Sequence, residues 1–289
     1  MSLRKEVMSV AKASAPYWIG DGFPSRTLFP LGEDPDLSPF LVVGYIGPSR
    51  FEPSTRPRGV GGHPHRGFET VTIVYQGSVD HRDSAGNAGT IETGDVQWMT
   101  AASGLIHEEK HGKELTAKGG EFEMVQLWVN LPAAHKMSKP GYQSLLKRDI
   151  PRVELGSKSY GRVIAGGLNG VEGAAKTFTP LNVFDIRLEK TDSAEVTLPV
   201  GHNAAVVLLQ GSIVVNGSTR MEGPTQIAHL SPSGAGLLLE ATEKSLVLIL
   251  SGEPIDEPVV SDGPFVMNTE AEIHQAFEDY RAGRMGQVS

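Results

Sequence analysis

Val74-Tyr75-Gln76-Gly77-Ser78 in the first half of the chain is answered by Leu208-Leu209-Gln210-Gly211-Ser212 in the second. Each copy follows an apolar run and precedes another, Val79 onward in one case and Ile213-Val214-Val215 in the other. A hairpin turn centred on glycine explains the pattern, because glycine reaches backbone angles that tight turns demand. The echo predicts two similar β domains in one chain. Chance recurrence of five residues is the competing explanation, and the strand spacing around each copy weighs against it.

Working outward, strands are expected at Thr70–Tyr75, Val96–Thr100, Met124–Asn130, Asn182–Leu188, Ala204–Leu209 and Ser245–Leu250. Each is rich in β-branched or aromatic residues and is bounded by turn formers. Crossover helices between them are scarce, so the fold class is all-β, with antiparallel sandwiches or barrels rather than a parallel α/β sheet. A chain of 289 residues suits two domains. Leu131-Pro132 to Pro140-Gly141 reads as a hinge, which divides the chain into 1–135 and 136–289. One C-terminal helix is expected, with a capping box at Thr269 and Glu272, an apolar face of Ile273, Ala276, Phe277 and Tyr280, a stop at Gly283 and a solvated His274.

The chemistry concentrates in two couplets, His63-Pro64-His65 and His107-Glu108-Glu109. Side chains two apart on a strand share a face, so His63 with His65 and His107 with Glu109 each point one way. On neighbouring strands they would converge as a divalent first-row metal site with open positions, iron(II) foremost. Glu69 shares the parity of His63 and His65, so Glu69 and Glu109 are both candidate carboxylates; Glu108 faces away. His111 is expected in solvent. His81 and His135 are expected in turns without a chelating partner, His81 as a candidate for a pocket rim. Counting from the two glycines puts Thr197, Pro199 and Ala241 where the first half has His63, His65 and His107. His202 and His229 read as structural histidines, and the second domain reads as metal-free.

Composition narrows the rest. The chain has no cysteine, which removes disulfides, thiolate nucleophiles and thiolate-held metals. A net charge of -8 argues against nucleic-acid binding. No apolar run approaches the ~20 residues that span a bilayer. Met1-Ser2-Leu3-Arg4-Lys5-Glu6 lacks the apolar core of a secretion signal, so the expected location is the cytoplasm.

Five motifs together resemble the pirin family of bicupins, over nearly the whole chain. They are His63-Pro64-His65-Arg66-Gly67-Phe68-Glu69-Thr70-Val71, Gly94-Asp95-Val96-Gln97-Trp98-Met99-Thr100-Ala101, Gly104-Leu105-Ile106-His107-Glu108-Glu109, Gln126-Leu127-Trp128-Val129-Asn130-Leu131 and Gly263-Pro264-Phe265-Val266-Met267-Asn268-Thr269. The resemblance implies two cupin (jelly-roll) domains, with one iron(II) in the N-terminal domain held by His63, His65, His107 and Glu109. Other divalent metals are expected to compete for that site. The resemblance therefore chooses Glu109 over Glu69, and Glu108 departs from the small residue common at that position. It further implies quercetin 2,3-dioxygenase activity on a flavonol, with Glu109 as the proton acceptor and Phe68, Trp98 and Met99 as candidate walls. The alternative it implies is a redox-sensitive, iron-binding regulator that binds protein partners without turnover.

Overall fold

The computed structural model describes residues 3–31, 37–223 and 225–288; Met1 and Ser2 of the opening stretch lie outside them. The chain forms two compact units. One comprises Ala15–Thr27, Phe40–Lys147 and Ile255–Ser289, the other Met1–Ser14, Leu28–Pro39 and Arg148–Pro254. This differs from the expected cut between 135 and 136 in two ways: residues 136–147 stay with the first unit, where Gly141–Leu145 pairs with Val96–Thr100, and the chain ends are exchanged. Val7–Lys12 pairs antiparallel with Gln226–Leu230 in the second unit. The Lys5 ammonium is buried there on the carbonyls of His202, Ser231 and Pro232. The C-terminal helix, Glu270–Arg281, instead belongs to the first unit, where the Arg66 guanidinium donates to Asp279 at 2.7 Å. The helix has the expected Thr269/Glu272 capping box, and Gly283 follows with a positive φ. Ile273 and Ala276 are buried, while Tyr280 and His274 are exposed.

In the first unit eight strands form the frame: β1 (Phe40–Phe51), β2 (Gly59–His65), β3 (Phe68–Gln76), β4 (Ser78–Asp83), β5 (Ala88–Glu92), β6 (Val96–Thr100), β7 (Leu105–His111) and β8 (Gly120–Asn130). One sheet carries the order β6-β3-β8-β1 at its centre, and the other runs β2-β7-β4-β5. In the second unit the counterparts are β9 (Leu181–Leu188), β10 (Ser193–Thr197), β11 (Asn203–Gln210), β12 (Ser212–Val215), β13 (Thr219–Glu222), β14 (Gln226–Leu230), β15 (Gly236–Ala241) and β16 (Ser245–Gly252). Their orders, β14-β11-β16-β9 and β10-β15-β12-β13, repeat those of the first unit strand for strand. Both units are antiparallel two-sheet cupins, as expected.

The Gln-Gly-Ser echo has a different job from the hairpin expected. β3 and β4 lie in different sheets, as do β11 and β12, so each glycine turns a corner between sheets. Gly77 and Gly211 have φ of 83° and 90°, and a Cβ on Gly211 would stand 2.3 Å from the Lys244 carbonyl oxygen. Only glycine fits such a corner without displacing backbone.

Strand pairing corrects the count from the turns. Val79 pairs with His111 as Ile213 pairs with Ala241, so Ala241 matches His111 rather than His107. The ladders put Leu237 and Leu239 in the places of His107 and Glu109. His63 pairs with His107 as Val196 pairs with Leu237, which makes Val196 and Leu198 the counterparts of His63 and His65. Residue counting slipped because the connecting loops differ in length: His107 lies 30 positions past Gly77, but Leu237 lies 26 past Gly211. All four counterparts belong to the apolar core of their unit. His202 is buried with Nδ1 at 3.1 Å from the Ser251 hydroxyl, a structural histidine as expected.

Candidate metal centre

β2 and β7 lie side by side and antiparallel, which brings the two couplets together. One ring nitrogen from each of His63, His65 and His107 falls within 4.8 Å of the others, the one such cluster among the described residues. Pro64 occupies a ladder position on β2, at the edge of its sheet, where a missing N–H is tolerated. His63 Nδ1 lies 2.9 Å from the Gly61 carbonyl and His65 Nδ1 lies 3.3 Å from that of Pro264. A carbonyl only accepts, so both rings carry their proton on Nδ1 and leave the Nε2 lone pair for a ligand. Both nitrogens of His107 are buried without a hydrogen bond.

Burial, reinforced by the neighbouring His63, drives the His65 pKa down to about 3 from 6.5. Burial also holds His107 well below its usual range, with His65, His63 and His81 adding to it. Near neutral pH these rings are uncharged donors, the form a metal ion needs. Three converging imidazoles, with both nitrogens of His107 left without a partner, fit a first-row divalent cation, and the set holds no thiolate that would select a softer one.

Glu109 is buried but stands outside the three-histidine cluster. Its Oε1 accepts from the Thr72 hydroxyl at 3.3 Å and its Oε2 from the Gln126 amide at 2.9 Å. Glu108 points the other way, as parity predicts, and pairs with Arg82 and Lys110 at 2.7 and 3.0 Å. Glu69 does not face the site. The positive-φ Gly67 reverses strand parity after His65, so Thr72 faces Glu109 and Glu69 lies on the opposite side of β3. There it accepts from the Thr100 hydroxyl at 2.7 Å, and burial raises its pKa to about 7.

Several neighbours escaped the sequence reading. His81 is on β4 rather than in a turn, cross-strand from Glu109, with its ring 5.5 Å from that of His107. It is buried, its Nε2 lies 3.2 Å from Asp83 Oδ2, and Tyr142 stacks on it. The skip-one spacing of His81 and Asp83 was the available signal. Trp128, half-buried, stacks on Phe68 at 4.3 Å and stands edge-on to His65 at 5.2 Å. Met99 pairs with Thr70 on the site face, whereas Trp98 pairs with Val71 on the other. His111, expected in solvent, is buried among Phe23, Phe51 and Phe122 with Nε2 at 2.8 Å from the Gly22 carbonyl. His135 lies on the short helix Ala133–Lys136 and is exposed.

Two family models match this chain: Pirin over residues 23–129 and the Pirin C-terminal cupin domain over 183–286. The chain belongs to the pirin family. A Pseudomonas aeruginosa relative named "Putative quercetin 2,3-dioxygenase" is 50% identical over 284 residues, covering 97% of this chain and 98% of its own. A tomato (Solanum lycopersicum) pirin-like protein is 38% identical over 269 residues, 92% of this chain and 88% of its own. The crystal structure of a quercetin 2,3-dioxygenase from Acinetobacter baumannii superposes with a TM-score of 0.96 at 48% identity, covering 99% of this chain and 100% of that one. Among the described residues of this pirin, no helix is long and apolar enough to cross a membrane.

Proposed function

We propose that this pirin is an iron(II)-dependent dioxygenase that opens flavonols such as quercetin with dioxygen and releases carbon monoxide. The observation that carries the reading is the convergence of His63, His65 and His107, the last two buried and held uncharged, in a chain so similar to proteins bearing that activity in their names. His63, His65, His107 and Glu109 would hold the metal, one ion per chain. When bound, iron(II) supplies Lewis acidity toward the flavonol hydroxyl and a redox couple for dioxygen. Glu109 accepts the hydroxyl proton; its two oxygens spend one hydrogen bond each on Thr72 and Gln126 and keep lone pairs free. Phe68 and Trp128 form an aromatic wall beside His65 that suits a flat aromatic substrate.

The test is anaerobic iron(II) loading followed by quercetin and oxygen. Loss of flavonol absorbance with release of carbon monoxide is expected, and fully loaded protein that yields neither overturns the reading. His107→Ala should lose both turnover and most metal affinity. If turnover persists in that variant, the site is elsewhere.

A further inference from the structure

The Glu109 carboxylate is held between the two sheets of its unit. It projects from β7, while its two donors, Thr72 and Gln126, come from the opposing strands β3 and β8. Thr72 and Gln126 are themselves ladder partners, and the same Gln126 amide also reaches the Thr72 hydroxyl at 3.3 Å. Three polar side chains therefore close a small triangle directly beside the imidazole cluster. The carboxylate has no cationic partner in this triangle, so its orientation is set by two neutral donors.

The second unit offers an internal control. Aligning Gly77 with Gly211 makes Val206 the counterpart of Thr72, and the ladder partner of Val206 is Ile249, the counterpart of Gln126. Leu239 replaces Glu109. Val206, Ile249 and Leu239 are all buried members of one apolar core. The triangle is thus present complete in the unit with three imidazoles and missing complete in the unit without them. Thr72 and Gln126 are tied to the carboxylate and its metal rather than to the strands that carry them, since the same strands form equally well with valine and isoleucine.

We infer that Gln126, assisted by Thr72, is the positioning residue for the metal's fourth donor: it aims the Glu109 carboxylate at the three-histidine cluster. The inference rests on the proposed role of Glu109 as a ligand. Groups that orient a metal ligand from behind typically change affinity by about 10- to 100-fold when removed. Gln126 does not belong to the cluster itself, so its removal leaves the three imidazoles in place.

Cobalt(II) is the probe, because its visible absorption bands report the donor set without any turnover. Titrated into the full-length metal-free protein, it should bind Gln126→Leu about 10- to 100-fold more weakly than wild type, with shifted bands. Thr72→Val should show a smaller loss, and Thr72→Ser, which keeps the hydroxyl, should restore wild-type bands. Glu109→Gln should itself weaken binding and shift the bands, and adding Gln126→Leu to it should change nothing more. A Glu109→Gln variant with wild-type affinity and bands overturns Glu109 as a ligand. An altered Glu109→Gln variant beside an unaltered Gln126→Leu overturns only the positioning role, as does a Gln126→Leu effect that persists undiminished in the double variant. Melting curves of each metal-free variant identify any that fails to fold. For such a variant, Gln126→Met, which keeps the chain length without the amide, takes its place with the same expectation.

Discussion

The two units share one strand order and one corner turn yet differ at a set of interior positions. Seven positions that carry His63, His65, Thr72, His81, His107, Glu109 and Gln126 in the first unit carry Val196, Leu198, Val206, Val215, Leu237, Leu239 and Ile249 in the second. The apolar set is packed into a continuous core. In the first unit the apolar interior is divided among separate clusters, one including Phe23, Ile46, Val74, Val79, Phe122 and Met124 and another Met99, Ala101 and Leu105, and these seven positions are polar. The backbone is indifferent to this exchange. Hydrophobic burial supplies the stability of one interior, while the other gives up part of that gain for groups that can hold an ion. The converging imidazoles stand in one copy of a duplicated frame, and the other copy retains the frame.

The strongest way to break this contrast is to transplant the site. Replacing Val196, Leu198 and Leu237 together by histidine places three imidazoles in a dry core with none of the polar neighbours present in the first unit. At about 2 kcal/mol for each poorly satisfied polar group, the loss is about 6 kcal/mol, read by urea denaturation. Metal analysis should still find one ion per chain. A second bound equivalent at unchanged stability would show that the frame alone suffices for a site.

Acid should single out the unit with the three-histidine cluster. The unfolded His65 imidazole takes up a proton below about 6.5, whereas the folded one resists until about 3. The unfolded state therefore binds more protons across that window, and metal-free protein loses stability as pH falls through it. At about 1.4 kcal/mol per unit this one group is worth about 5 kcal/mol by pH 3. Hydrogen exchange should show β2 and β7 opening first, and equal loss in β10 and β15 would contradict the assignment.

Making the first interior resemble the second should stabilise it. His107→Leu removes two buried ring nitrogens that lack partners, so the metal-free protein is expected to gain about 1–2 kcal/mol while metal binding is lost. A lower melting temperature for this variant would show that the imidazole is held by packing worth more than its desolvation costs. The smallest effect concerns the exchanged ends. Thr269→Ala should cost about 1 kcal/mol and accelerate exchange in Glu270–Arg281 and the first unit alone, with β9–β16 unaffected.

Much of this was legible because β-structure writes itself with a period of two. The skip-one spacing of His63 with His65, with His107 on the neighbouring strand, carried the three-imidazole cluster without any knowledge of loops. Val96–Thr100 coincides with β6, and the other five expected strands lie within observed ones. The failures share a cause: they needed pairing register, which local spacing cannot supply. Glu69 has the right parity on paper, but Gly67 reverses it. Thr197, Pro199 and Ala241 were reached by counting through loops of unequal length. His111 sits in a charged sequence yet lies buried, because strand alternation turns it toward Phe51 and Phe122 while Lys110 faces out.

The amino-acid sequence by itself determined the all-β class, the duplication, the three imidazoles and the capped final helix. Each of these depends on residues close together in the chain, where alternation, glycine geometry and capping act. Only the tertiary structure decided which face each strand presents to which partner. It turned Glu69 away, set Thr72 and Gln126 on Glu109, brought Trp128 against His65 and gave the chain ends to opposite units. Those outcomes arise from cross-strand registers between residues tens to hundreds of positions apart, and register is fixed by the packing of whole sheets rather than by any local run.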